Sequence, residues 1–410
     1  MVSAMTARKI VKRAALAEVI KTFRQSTLAL AFNLNGIVAG TLLALYLGVF
    51  SSAPWALVVY PGILSMRGVI GGLFSGRLST GLHLGTVKAG FLKNTGYFYL
   101  LWHAIIVLTL ESSVMLGSVA LLFGMLLLRI TIFDSVAVLG VIIATMAISL
   151  VLISPITVVI SALSFKYGLD PDIIVYPIES TVADVLITVC YITVLNIFFS
   201  LSPMGPHLIG SLDFIFLCLV LYLFFKDARE PEFFKTIKES LLTLVLVSFI
   251  VSVTGSVLSK ISEVAGSRRE IYMVYPALID TMGDVGSIVG STATTKLALG
   301  TIRPSFTSIK KHSTEIVGAW MASLVMFTLC SAISFLIKQQ FSLDRLLRFT
   351  ALLYITNFQA ALSMGIIAYV VAILTYQRGW DPDNFVIPIE SSLADTITTF
   401  SLLVAVNVIG

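Results

Sequence analysis

A chain of 410 residues with 57% hydrophobic and only 12% charged residues, and a mean hydropathy of +0.99, lies outside the range of soluble domains and inside that of polytopic membrane proteins. Its net charge of +5 does not point to nucleic acid, because the Lys and Arg residues fall in short segments between apolar runs, where they act as topology signals. Cys190, Cys218 and Cys330 each lie alone in an apolar run and the four histidines are scattered, so neither a disulfide framework nor a His and Cys metal cage is supported.

Residues 1–26 are basic and lack a long apolar core, which predicts an amphipathic segment on the cytoplasmic surface and not a removable signal peptide. A span needs about 20 mainly apolar residues. Candidates follow at 28–50, 56–82, 97–127, 136–165, 173–201, 207–225, 241–259, 271–299, 315–337, 346–375 and 384–408, about eleven in all. With the N-terminus inside, Lys and Arg concentrate in the inner segments, and the outer loops hold only Arg129, Lys260, Arg268, Arg269, Lys338, Arg345 and Arg348. The expectation is a multi-pass protein of the cell membrane with a cytoplasmic N-terminus and an outer C-terminus.

The chain repeats itself. DPDIIVYPIESTVAD at 170–184 returns as DPDNFVIPIESSLAD at 381–395, and YPGILSMRGVIGGLFSGRLSTGLHLGTVK at 60–88 aligns without a gap on YPALIDTMGDVGSIVGSTATTKLALGTIR at 275–303. KTFRQS at 21–26 resembles KTIKES at 235–240. These matches predict an all-α polytopic membrane protein built from a five-helix repeat at 27–203, a linking helix at 204–230 and a second five-helix repeat at 231–410. Five spans are an odd number, so the linking helix restores the orientation and makes the repeats parallel, related by a pseudo-two-fold axis along the membrane normal. Such a chain carries both halves of a central path and is expected to work as a pseudo-symmetric monomer. Gly and Pro crowd the second span of each repeat, which fits either tight packing or a kinked helix beside an ion path.

Both copies of the opening motif set carboxylates in apolar sequence: Glu179 and Asp184, then Glu390 and Asp395. An ionisable group there costs at least a few kcal/mol and implies a partner, either a counter-charge or an ion. If the fifth span begins near 173, Asp184 lies about 16 Å along it, near the middle of a hydrocarbon core of about 30 Å, and Asp395 matches it in depth. An Asp pair there would repel unless one were protonated or a cation lay between them. Mg2+ keeps much of its water while leaning on one or two carboxylates, so the pair suits it, with the hydroxyls of Ser180, Thr181, Ser391 and Ser392 nearby. The alternative is that each Asp is a structural group bonded to a neighbouring helix. Glu179 and Glu390, five positions earlier and turned away from the Asp face, fit either an ion guide at the inner mouth or pairing with a basic residue on another helix. The second repeat adds Asp280 and Asp284 where the first has Ser65 and Val69, while the first has Arg67 and Arg77. An asymmetric site is expected, although Arg67 is placed to neutralise one of the acids.

The pattern Gly-x-Asp-Pro, then Pro, two hydroxyl or small residues and an Asp seven positions after that proline, runs here from Pro177 to Asp184 and from Pro388 to Asp395. It resembles the last span of MgtE-type magnesium transporters, and YPALIDTMGDVGS looks like that family's second span with Asp284 at an Asn position. The two fused copies are similar to the animal solute-carrier relatives of MgtE. The resemblance implies transport of divalent cations, with Mg2+ as the leading ion, no organic cofactor, no enzymatic activity, and Asp184 and Asp395 in a central path between the repeats. The chain departs from the family at Glu179, Glu390 and Val69 and shows no counterpart of the bacterial sensor domains. Rival readings are a proton- or sodium-coupled carrier of another cation or small solute, and an intramembrane aspartyl protease, against which the matched positions of the two Asp residues argue.

Overall fold

The computed structural model describes residues 2–51, 53–127, 132–167, 171–201, 203–266, 268–338, 342–378 and 382–409, and the side chains of 2–15, 51, 54, 127, 132–133, 171–178, 239, 298, 338 and 382–390 lie outside that description. Arg129 and the Asp-Pro-Asp entries at 170 and 381 therefore fall wholly or partly outside the described residues, as do the side chains of Pro177, Pro388 and Glu390.

Among the described residues the chain forms thirteen α-helices and no strand: α1 (Val2–Leu30), α2 (Gly36–Leu45), α3 (Leu47–Ser51), α4 (Pro54–His83), α5 (Gly96–Leu127), α6 (Ile132–Lys166), α7 (Pro171–Ser200), α8 (Met204–Asp227), α9 (Pro231–Ala265), α10 (Arg269–Ala298), α11 (Ser313–Lys338), α12 (Leu343–Gln377) and α13 (Pro382–Ile409). A 3-10 stretch, Ala31–Asn35, separates α1 from α2. Four of these helices open on proline, whose fixed φ and missing N–H suit a first helical turn. Pro61, Pro155 and Pro276 lie inside α4, α6 and α10, where packed neighbours can satisfy the freed backbone.

Among the described residues, ten helical segments are long and apolar enough to cross a membrane. The eleventh expected span is α10, whose 30 residues would reach across but carry Asp280 and Asp284 in their middle. Large apolar side chains stand exposed along the spans, among them Phe214, Ile215, Tyr222 and Phe225 of α8. Water would not tolerate so much exposed apolar surface, whereas lipid solvates it. Many buried hydroxyls are satisfied within their own helices, as where Thr145 donates to the Val141 carbonyl at 2.7 Å and Ser252 to that of Ser248 at 2.7 Å.

Contacts divide the chain into two compact units. One joins Met1–Gly40 to Ile261–Gly410, the other is Thr41–Lys260. The units do not follow sequence order, because each holds most of the first helix that precedes the other's four. In the α10–α13 unit, α1 lies along α11, and α10 packs on α11, α12 and α13. Gly36 and Gly40 bring the first span onto the α10 backbone: a Cβ on Gly36 would stand 2.8 Å from the Ala277 nitrogen, and one on Gly40 would collide with the Met273 carbonyl. In the α4–α9 unit, α4 packs on α5, α6 and α7, and a Cβ on Gly255 of α9 would collide with the Val58 carbonyl on α4. Val58 aligns with Met273 in the gapless match, so Gly40 and Gly255 make the same contact in the two units. Helix α8 packs on α5, α6 and α7, and its Asp227 meets His103 of α5 at 2.6 Å. The second spans also end alike. Gly85 and Gly300 take φ of +71° and +67°, a conformation glycine adopts without penalty, and their N–H groups return to the carbonyls of Leu82 and Leu297.

Candidate ion-binding site

The two central aspartates sit near the midpoints of their helices, each thirteen residues after the helix's first proline, in helices of 30 and 28 residues. That places each about 20 Å along its helix. Both are buried, Asp184 at 9% exposure and Asp395 at 7%. Each is gripped in the same way by the second span of its own repeat. Thr188 donates to the Asp184 carbonyl at 2.7 Å, and Tyr60 of α4 meets the Thr188 hydroxyl at 2.9 Å. In the other unit Thr399 donates to the Asp395 carbonyl at 2.5 Å, and Tyr275 of α10 meets that hydroxyl at 3.0 Å. The threonine proton is committed to the carbonyl, so in both units the tyrosine donates to the threonine oxygen. Ser180, Thr181 and Ser391 are half-buried and Ser392 is buried, all within one or two turns of the aspartates.

Around this shared bracket the two units differ in charge. In the α4–α9 unit Glu179 is buried against α4, its Oε1 lying where a Cβ on Gly71 would be, and 3.9 Å from Arg67 Nη2. Both side chains are cut off from solvent, at 4% and 0% exposure. Arg67 Nη2 also faces Ser154 Oγ at 3.4 Å, while its Nε and Nη1 and the Glu179 Oε2 have no hydrogen-bond partner. Glu179 thus has the basic neighbour that one of its two sequence readings required. Arg77, one helical face away, bonds Thr236 of α9 at 2.6 Å.

In the α10–α13 unit the residue aligned with Arg67 is Met282, fully buried. Asp280 and Asp284 stand one turn apart on α10, both half-buried. The partner of Asp284 is Asn33, whose Nδ2 donates to Asp284 Oδ2 at 2.8 Å. Helices α10 and α13 meet at Gly283 and Ala394, where a Cβ on the glycine would lie 3.9 Å from the alanine's. The residues that follow in sequence are Asp284 and Asp395. Glu390 lies on α13, but its side chain is outside the described residues. No three His, Cys, Asp or Glu side chains converge on a point among the described residues.

The sequence profile of MgtE, a divalent cation transporter, matches residues 60–194 and again 275–405. The chain belongs to the MgtE family. The two matches start at Tyr60 and Tyr275 and run past Asp184 and Asp395, so each covers its whole bracket. The chain is accordingly a multi-pass membrane transporter of divalent cations. No curated protein matches it. Among solved structures, the crystal structure of the eukaryotic MATE transporter AtDTX14 aligns over 95% of this chain and 97% of its own at 14% identity, but with a TM-score of 0.18, on which no argument rests.

Three polar residues of the spans were not singled out by sequence reasoning. Asn33 was signalled by its place in the otherwise apolar LALAFNLNGIVAG of the first span. Glu111 of α5 and Asp213 of α8 each keep one buried carboxylate oxygen without a hydrogen-bond partner, and Asp213 Oδ2 lies 3.1 Å from the Cβ position of Gly140 on α6.

Proposed function

We propose that the transported ion is Mg2+, that it moves with much of its water, and that Asp184 and Asp395, one from each repeat, are the carboxylates it meets. The observation that carries this reading is the repeated bracket: in both units a tyrosine of the second span and a threonine one turn on fix the backbone of a buried aspartate at mid-helix. A fixed carboxylate in a span costs a few kcal/mol that a cation offsets. Single carboxylates with hydroxyls beside them, at Ser180, Thr181, Ser391 and Ser392, suit an ion that keeps its water better than an all-protein cage would. Asp280 and Asp284 add negative charge from the second repeat alone. Met282 stands in the second repeat where the first has Arg67, and in this reading Glu390 guides ions at the inner mouth.

In this reading the N-terminus is cytoplasmic, the C-terminus lies outside, and one chain suffices. Purified protein in liposomes with an internal Mg2+ indicator should show Mg2+ entry, and light scattering in detergent should give the mass of one chain. Liposomes that stay impermeable to Mg2+ while passing another divalent cation would overturn the choice of ion, and an obligate dimer would overturn the monomer.

A further inference from the structure

The geometry points to Asn33 as a positioning residue for ion binding: its amide orients Asp284 without neutralising it, so that this carboxylate keeps its charge for the ion. The inference rests on the reading of the α10–α13 unit as an ion-binding unit and adds to it a residue from the far end of the sequence.

The first span is not a continuous α-helix. It tightens into a 3-10 turn over Ala31–Asn35, and the Gly36 N–H that follows returns to the carbonyls of Asn33 and Leu34. Asparagine is a poor helix former, and Asn35 helps close the turn by donating from Nδ2 to the Phe32 carbonyl at 3.0 Å. A 3-10 stretch within a span changes the angular step of its residues, so side chains there are re-aimed relative to a regular helix. Here the break lies directly before Gly36 and Gly40, which seat the span on α10, and it delivers Asn33 Nδ2 to Asp284 Oδ2 at 2.8 Å. An asparagine in a span exposed to lipid would be costly, and the hydrogen bond of this half-buried Asn33 to a carboxylate accounts for its presence.

The other unit shows what a structural solution to a buried acid looks like in this fold. There Glu179 faces Arg67, a permanent cation on the second span. Asp284 instead faces a neutral amide, which can donate a hydrogen bond and fix an oxygen but contributes no charge. Matching the two close-contact glycines, Gly40 and Gly255, sets Asn33 against Ser248, whose hydroxyl is committed to the Leu244 carbonyl at 2.7 Å in its own helix. Opposite it the second span has Val69 in place of Asp284. The donor and the acid are thus both present in one unit and both missing from the other. The same α10 face carries Asp280 one turn earlier, and α10 meets α13 at Gly283 and Ala394, the residues before Asp284 and Asp395. Asn33 therefore acts through Asp284, on the α10 face that also carries Asp280, acids that the first repeat replaces by Val69 and Ser65.

The test is Mg2+ uptake by the full chain in liposomes for Asn33→Leu, which keeps the volume and removes the donor, and for Asn33→Ser, which shortens the arm to the residue found at the matching place. Losing one hydrogen bond to a charged group should raise the Mg2+ KM about tenfold while leaving the maximal rate within about twofold. In an Asp284→Asn background the same changes should add nothing, because the group they position is already neutral. Asn33→Ser is the milder change and serves if Asn33→Leu does not reach the membrane. A KM that stays at the wild-type value, a fall in maximal rate alone, or full additivity with Asp284→Asn would overturn the positioning role. These outcomes are separable from failure of the wider reading, since uptake that survives neutralisation of Asp184 and Asp395 refutes that reading whatever Asn33 does.

Discussion

Replacing Arg67 by Met gives the first repeat the residue that the second has at Met282, and its consequence can be worked from the geometry. At 3.9 Å and an effective dielectric near 20, the attraction between Arg67 and Glu179 is about 4 kcal/mol. Truncating one member of a buried pair typically costs roughly 3–5 kcal/mol, because the survivor is left charged and alone, so the two figures agree. Neither side chain reaches solvent, and Gly71 leaves the glutamate no side chain to shelter behind. For a unit the size of Thr41–Lys260, such a loss lowers the melting temperature by roughly 10 °C. Adding Glu179→Gln should restore most of it, since a neutral pair removes the uncompensated charge. Mg2+ should also stabilise Arg67→Met more than it stabilises wild type, because the carboxylate left without its arginine becomes a cation partner. Thermal unfolding of the detergent-purified protein, with and without Mg2+, reads all three. A shift of less than about 2 °C for Arg67→Met would show that the pair carries no such energy and refute the reasoning.

The remaining expectations are simpler. Gly40→Ala and Gly255→Ala each drive a Cβ into a backbone carbonyl, so each should destabilise the protein by about 1–3 kcal/mol or more, and a melt unchanged by either would deny the close crossing. Asp284→Asn should weaken Mg2+ affinity while Val69→Asn at the matching place is tolerated, and equal affinity in wild type and Asp284→Asn would argue against an asymmetric site. His312, in the loop before α11, is buried, with Nε2 2.9 Å from the Val289 carbonyl and Nδ1 3.5 Å from Glu315, and Tyr369 stacked on its ring. Burial pushes its imidazole below the ordinary value, outweighing the carbonyl and Glu315, with Lys296 adding to the fall. The folded state therefore favours the neutral ring: its contribution is full above about pH 6.5 and is lost as pH falls from there through the depressed value. His312→Gln should flatten the acid limb of the stability profile, and an identical limb would assign it to other groups.

Hydropathy alone made ten of the spans legible, because lipid demands long apolar helices and the sequence supplies them. The eleventh, α10, was read from its apolar run as well, although Asp280 and Asp284 depress its signal below that of the other ten. The central aspartates could be read from their matched positions in apolar sequence. Their threonine and tyrosine partners could not, because Tyr60 and Thr188 are brought together only by packing of the second span on the fifth. The Glu179 alternatives stayed open for the same reason: Arg67 was visible, but its direction depends on how α4 lies against α7. Least legible was the exchange of first helices between the units. A repeat in sequence says which segments are alike and nothing about which copy a helix packs on, and without that exchange Asn33 has no route to Asp284.

Mg2+ uptake into liposomes by Asp184→Asn/Asp395→Asn, at protein levels matched to wild type, tests the central claim most directly. Asparagine keeps the shape and much of the hydrogen bonding of aspartate, and the bracket holds the backbone carbonyls, not the carboxylates, so the double variant should fold. The account predicts a severe loss for each single change and no uptake for the double. Wild-type uptake by the well-folded double variant would contradict it.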